Sequence, residues 1–281
     1  MRNSILCLFA LLIIITSCNK EEEPIVENTN GYNMLLMGNS FFRPYAEKLD
    51  VIAIDAGFEN HNSNTVFRGG ENGRPINFWN DSTSLEHNEI KAILDQGNIE
   101  IFGMTLGHDS INPTEGHKAW IEYALQNNPE ITIFISLSPP DFPADWEQLA
   151  QDLGFNSIQE AYGNYINETF HPSFVEELRA EFPSTNIFTI PTGWATINLA
   201  QMNLDNGLLD EITMSGPVET SIFTDEKGHQ GEIVRETGGL VWLNSIYNVD
   251  LSTYTYETGF ITDLHTIAEE IMNSHDDDYK K

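Results

Sequence analysis

From Asn33 onward the chain alternates short apolar runs with longer amphipathic stretches. The runs Asn33 to Met37, Asn64 to Phe67, Ile99 to Met104, Ile131 to Leu137 and Asn186 to Ile190 have strand length and strand composition. Between and after them stand segments whose apolar positions recur at helical spacing: Tyr45 to Ala56, Leu85 to Leu94, Glu115 to Gln126, Phe174 to Glu181, Trp194 to Met202, Ile233 to Tyr247 and Leu264 to Met272. A run such as Ile131-Thr132-Ile133-Phe134-Ile135 has no polar face, so it expects cover on both sides, which crossover helices supply. The pattern predicts an α/β fold, a three-layer α/β/α sandwich around a five-stranded, mostly parallel sheet. In such sheets the functional crevice lies beyond the carboxyl ends of the strands, so the loops after Met37, Phe67, Met104, Leu137 and Ile190 are the places to look for chemistry.

Charge narrows the function classes. Lys and Arg total 13 against 43 Asp and Glu, a formal net charge of -30, which repels phosphate backbones and anionic membrane faces. Nucleic-acid binding is excluded on that ground, and neutral or cationic substrates are favoured over strongly anionic ones. Both cysteines, Cys7 and Cys18, fall at the start, leaving the rest of the chain without an internal disulfide or a Cys-ligated metal.

That start is distinctive in itself. Met1-Arg2-Asn3 followed by the apolar run Ile5 to Ile15 has the charged head and short hydrophobic stretch of an export signal, too short for a comfortable membrane span. It ends in Ile15-Thr16-Ser17-Cys18, which resembles the lipobox of bacterial lipoproteins; the resemblance implies a signal peptide over 1–18 and acylation of Cys18. Residues 19–31, with Glu21-Glu22-Glu23 and Pro24, read as an acidic, solvated tether, similar to those that direct lipoproteins to the outer cell surface. The remainder is enough for one domain, 32–275, ahead of an acidic tail, 276–281, expected to be frayed and solvated. Contact with a membrane would run only through the lipid on Cys18.

Two segments carry candidate chemistry. Met34-Leu35-Leu36-Met37-Gly38-Asn39-Ser40 runs an apolar strand into a serine, placing Ser40 at an expected helix N-terminus where free N–H groups stabilise developing negative charge. Near the other end, Thr224-Asp225-Glu226-Lys227-Gly228-His229 sets a histidine beside carboxylates on a loop before a late helix, the supply a nucleophilic serine needs for its base and orienting acid. Together, in this order, they resemble the SGNH (GDSL-like) hydrolase family, whose first block is a strand followed by Gly-Asp-Ser or a variant such as Gly-Asn-Ser and whose last block gives Asp and His from one loop. The resemblance implies a flavodoxin-like fold, a nucleophile at Ser40, a base at His229 and no cofactor. It also implies an oxyanion hole built on Ser40 itself and on a glycine after the second strand; in Phe67-Arg68-Gly69-Gly70 that is Gly70, with Gly69 beside it.

Two departures from the family stand out. The Gly-x-Asn-Asp-like block after the third strand is replaced by Gly103-Met104-Thr105-Leu106-Gly107-His108-Asp109, leaving Thr105 or His108 to provide the side-chain donor, or that donor absent at a cost of about 10²–10³ in rate. The acid three residues before the histidine is Glu226, while Asp225 lies four before; Gly228 permits the tighter loop that favours Asp225. His108, Asp109, Glu115 and His117 raise a metal reading, but no established ligand spacing appears, and none is expected. His171-Pro172-Ser173 reads as a helix start, and Phe78, Trp79, Trp146 and Trp194 as packing side chains with a sugar platform as the alternative. The expected activity is a serine esterase or deacetylase acting on O-acylated carbohydrate at the cell surface; the alternative is a glycan-binding protein of the same fold that has lost turnover.

Overall fold

The computed structural model describes residues 30–107 and 111–281. The export signal, Cys18, nearly all of the tether and the residues His108 and Asp109 lie outside the described residues.

Five strands form one fully parallel sheet: β1 (Asn33–Gly38), β2 (Asn62–Phe67), β3 (Ile101–Thr105), β4 (Thr132–Ser136) and β5 (Ile187–Ile190), in the spatial order β2-β1-β3-β4-β5. Both faces of β3 and β5 are buried along their whole length, as expected of strands without a polar face. β2 is the exception. It begins at Asn62, two polar residues before its apolar run, because it is an edge strand and only its pairing with β1 has to be satisfied.

One helical layer consists of α1 (Arg43–Asp55), α8 (Gly193–Leu204), α9 (Glu232–Tyr247) and α10 (Leu264–Ser274), packed on one another. α2 (Pro75–Asn80), α3 (Leu85–Leu94) and α4 (Glu115–Asn127) pack together as the other, which α7 (Glu176–Glu181) joins through the Lys118–Glu177 ion pair. Two further helices, α5 (Trp146–Asp152) and α6 (Ile158–Asn164), sit between β4 and β5, and two short parallel strands, β6 (Thr213–Ser215) and β7 (Ser221–Phe223), precede α9. The result is the three-layer sandwich. Strand order reverses between β1 and β3, so the crevice that doubly wound sheets use for ligands opens at the carboxyl end of β1.

Two expectations are corrected. His171-Pro172-Ser173 does not start a helix: it lies inside a π-helical stretch, Tyr165–Val175, continuous with α6 and α7. Proline's missing N–H and its ring break an i→i−4 ladder, and the wider i→i+5 turn is a way to keep the chain helical across it. Nor is the acidic tail frayed. Tyr279 stacks on His171 at 3.7 Å between ring centroids, Arg179 lies over the Tyr279 ring at 4.7 Å and donates to Asp278 O, and Lys281 Nζ donates to Tyr32 Oη and Ile246 O. Ring stacking and backbone bonds hold it, so its three aspartates do not decide its fate.

Candidate active site

The turn bearing Ser40 is fixed by the residues on either side of it. The buried ring of Phe42 covers Gly38 so closely that a Cβ there would lie 2.5 Å from the ring, so the strand can end under it only as glycine. Phe42 in turn sits edge-on to Trp242 of α9 at 4.9 Å, tying the turn to the core. Asn39 O accepts from the N–H groups of Phe42 and Arg43, and Asn39 Oδ1 from Phe41 N. Helix α1 therefore begins at Arg43, with Pro44 in its first turn, and Ser40 lies one turn ahead of it rather than capping it. Its backbone N–H makes no hydrogen bond among the described residues.

The loop between β7 and α9 brings the histidine to this turn. Gly228, at φ +97° and with Pro143 against its α-carbon, allows the reversal that points His229 back at the sheet edge. His229 Nε2 stands 2.7 Å from Ser40 Oγ, and His229 Nδ1 stands 2.5 Å from Asp225 Oδ2. Asp225 Oδ1 accepts from the N–H groups of Gly228 and His229 at 3.1 and 3.2 Å. Burial alone would raise the Asp225 carboxyl, but the bonds from His229 and the two backbone N–H groups outweigh it and hold the group below the usual carboxylate range. Glu226 is exposed and makes no bond to the imidazole. The ring of His229 is stacked on Phe41 at 4.9 Å, and Gln230, fully buried, donates to Phe41 O.

The expected oxyanion donors are spread along the carboxyl edge of the sheet. Gly70 opens a 3-10 turn after β2, and its N–H, like that of Ser40, makes no hydrogen bond among the described residues. Thr105 ends β3 at the same sheet edge, yet it is fully buried, and its Oγ1 is sealed from solvent with no partner among the described residues. A hydroxyl closed off in this way does not face a substrate, so the expectation for Thr105 as a donor is corrected; its carbonyl is occupied by His117 Nε2 at 3.0 Å. That contact also places His117 in a structural role, and among the described residues no three His, Cys, Asp or Glu side chains are grouped to hold a metal ion. The aromatic residues Phe78, Trp79, Trp146 and Trp194 pack on Trp120, Phe223, Tyr162 and the Arg68 guanidinium and do not line the serine cleft.

That cleft, about 230 Å³, lies beside the first turns of α1 and α9 and is lined by Ser40, His229 and Gln230 together with Arg43, Pro44, Glu47, Phe67 and Arg235. The arginines and Phe41 were not legible as site residues. A second brace went equally unread: the loop after β4 puts Phe142 N on Lys227 O at 3.0 Å and Asp141 on Lys227 Nζ at 3.4 Å, gripping the histidine loop from outside.

Fold and site together define an α/β protein with a serine, a histidine and an aspartate in one hydrogen-bonded chain at the carboxyl edge of a parallel sheet. No family model matches the sequence, and no curated protein is similar to it. Among solved structures it is similar to the periplasmic domain of the lipopolysaccharide acetyltransferase of Salmonella ser. Paratyphi A, at 14% identity and a TM-score of 0.45, over 79% of this chain and 84% of that one. No helix of the described residues is long and apolar enough to cross a membrane.

Proposed function

We propose that the protein is a serine ester hydrolase of the SGNH kind that removes acyl groups from carbohydrate at the cell envelope, where it is held through Cys18. The observation that carries this reading is the 2.7 Å contact between Ser40 Oγ and His229 Nε2, made across 189 residues of sequence and backed by Asp225 on the far ring nitrogen. Nδ1 donates to the carboxylate, which leaves Nε2 as the acceptor for the serine proton. Ser40 Oγ attacks the ester carbonyl, and the proton passes to Nε2. The N–H groups of Ser40 and Gly70 receive the charge on the carbonyl oxygen. Collapse breaks the bond to the alcohol, which leaves with the proton from His229, and water then cleaves the acyl-serine by the same steps in reverse order.

The test is labelling with a fluorophosphonate, which reports only an activated serine, alongside release of acetate from O-acetylated oligosaccharides. Ser40→Ala should abolish both. A second reading, a glycan-binding protein without turnover, is favoured by the sealed Thr105 hydroxyl, since deletion of one oxyanion donor costs about 10²–10³ in rate. An unlabelled wild-type protein that still binds acetylated glycan would select it.

A further inference from the structure

The serine cleft carries a local excess of positive charge in a strongly acidic molecule: two arginines, Arg43 and Arg235, line it against one carboxylate, Glu47. Within a chain of net charge -30, two of its 13 Lys and Arg residues, Arg43 and Arg235, line the same 230 Å³ cleft as Ser40 and His229. Both guanidinium groups are held by the same edge. Arg43 Nε donates to Glu47 Oε1 at 2.6 Å while its plane lies over Phe67, 4.9 Å from the ring centroid. Arg235 Nε donates to Gln230 O at 3.0 Å, the residue next to the catalytic histidine. Neither Nη1 nor Nη2 of either residue has a hydrogen-bond partner among the described residues; the nearest carboxylate to Arg235 Nη1, on Glu232, is 3.8 Å away and accepts from Lys48 through its other oxygen. Two arginines pinned through Nε and open at Nη present the fork that binds a carboxylate in the plane, already ordered, so little side-chain entropy is lost on binding.

We propose that this cleft is a specificity subsite for a carboxylate-bearing sugar, a hexuronic acid adjacent to the acylated unit. The proposal rests on the hydrolase reading only for what happens at the ester. The cleft volume is below the roughly 300–1,000 Å³ of sites for drug-sized ligands, room for one ring rather than a chain. The groove that continues past Arg43 along β2 is lined by three carboxylates, Glu47, Glu86 and Glu89, of which Arg43 and Arg68 engage the first two, and the excess of negative charge there disfavours a second carboxylate. The glycan is therefore one with isolated acidic units, not a dense polyanion, which agrees with the long-range repulsion a net charge of -30 exerts.

The test uses an oligosaccharide with one hexuronic acid and its carboxyl-reduced, neutral twin, both without acetyl groups, titrated calorimetrically into the Ser40→Ala protein. The acidic ligand should bind about tenfold or more tightly than its twin, and adding Arg43→Gln or Arg235→Gln should each remove most of that preference. Arg235→Lys should restore only a minor part, because an ammonium keeps the charge and loses the fork. Lys118→Gln, a cation on α4 far from the cleft, should leave it intact. Equal binding of the twins, or a preference that survives both Gln variants, overturns the proposal. If Arg43→Gln compromises folding, Arg235→Gln alone decides. Fluorophosphonate labelling of the wild type separates the two readings: discrimination without labelling keeps the subsite and removes the hydrolase, whereas labelling without discrimination does the reverse.

Discussion

Replacing Asp225 by asparagine separates two jobs that the carboxylate performs at once. One oxygen receives His229 Nδ1 at 2.5 Å; the other receives the N–H groups of Gly228 and His229 and holds the loop. The asparagine carbonyl can take over the second job. Its NH₂ then faces Nδ1, which must give up its proton to accept, and the proton moves to Nε2, where it blocks uptake from Ser40. A serine hydrolase whose aspartate is so replaced loses about 10⁴ in kcat, or roughly 5 kcal/mol of transition-state stabilisation. Stability should change by less than about 1 kcal/mol. Asp225→Ala removes the loop bonds as well and should cost a further 1 kcal/mol or so, a small figure because the carboxylate is 47% exposed. Stopped-flow assay of a chromogenic acetate ester, with urea melts of the same preparations, measures both quantities. Asp225→Asn turning over within tenfold of wild type would refute the assignment, and Glu226→Ala, which touches nothing in the site, serves as the comparator. Because the Asp225 pKa is lowered, its contribution to stability is complete above about pH 4 and is lost as pH falls through the lowered value.

Three further outcomes are expected. Ser40→Ala should melt within about 1 °C of wild type, since Ser40 caps no helix; a loss of several degrees would mean that the turn depends on the hydroxyl. His171 and His275 share Thr189 Oγ1 at 3.0 Å each, and burial, the largest cause for both, lowers their pKa values to about 3 and about 4. Their neutral forms are thus favoured in the folded state, so stability is full above pH 6.5 and should fall by about 1–3 kcal/mol per unit as pH drops from there toward 4; urea midpoints at pH 7 and 5 measure this, and a loss equally steep in a His171→Gln variant would show that other groups cause it. Tyr279→Ala, which removes the ring that stacks on His171 and receives Arg179, should destabilise by about 1–2 kcal/mol, whereas a freely solvated tail predicts no change.

Four of the five strands were legible because they are buried on both faces and show as largely apolar runs, whereas the edge strand β2, NSNTVF and only partly buried, showed only its last four residues. α3 was read to the residue, Leu85–Leu94, since Ser84 caps it visibly by accepting from His87 N. Short α2, α5 and α6 were not read, having too few turns for a period to show. The serine and histidine could be read because turn and loop chemistry is local, with glycine at Gly38 and Gly228. Thr105 was misjudged because position at a strand end does not tell which way a side chain points, and Arg43 and Arg235 were passed over because each looks, in sequence, like an ordinary charge on a helix face.

In a parallel sheet every strand enters at one pole and leaves at the other. Tyr32, just ahead of β1, is hydrogen-bonded to Lys281, so these two residues share the amino pole while Ser40 lies at the carboxyl pole, roughly 20 Å away along β1. The crevice therefore opens at the pole opposite the one where Tyr32 and Lys281 meet. A bead or a fusion partner attached at Lys281 should accordingly leave access to Ser40 unchanged.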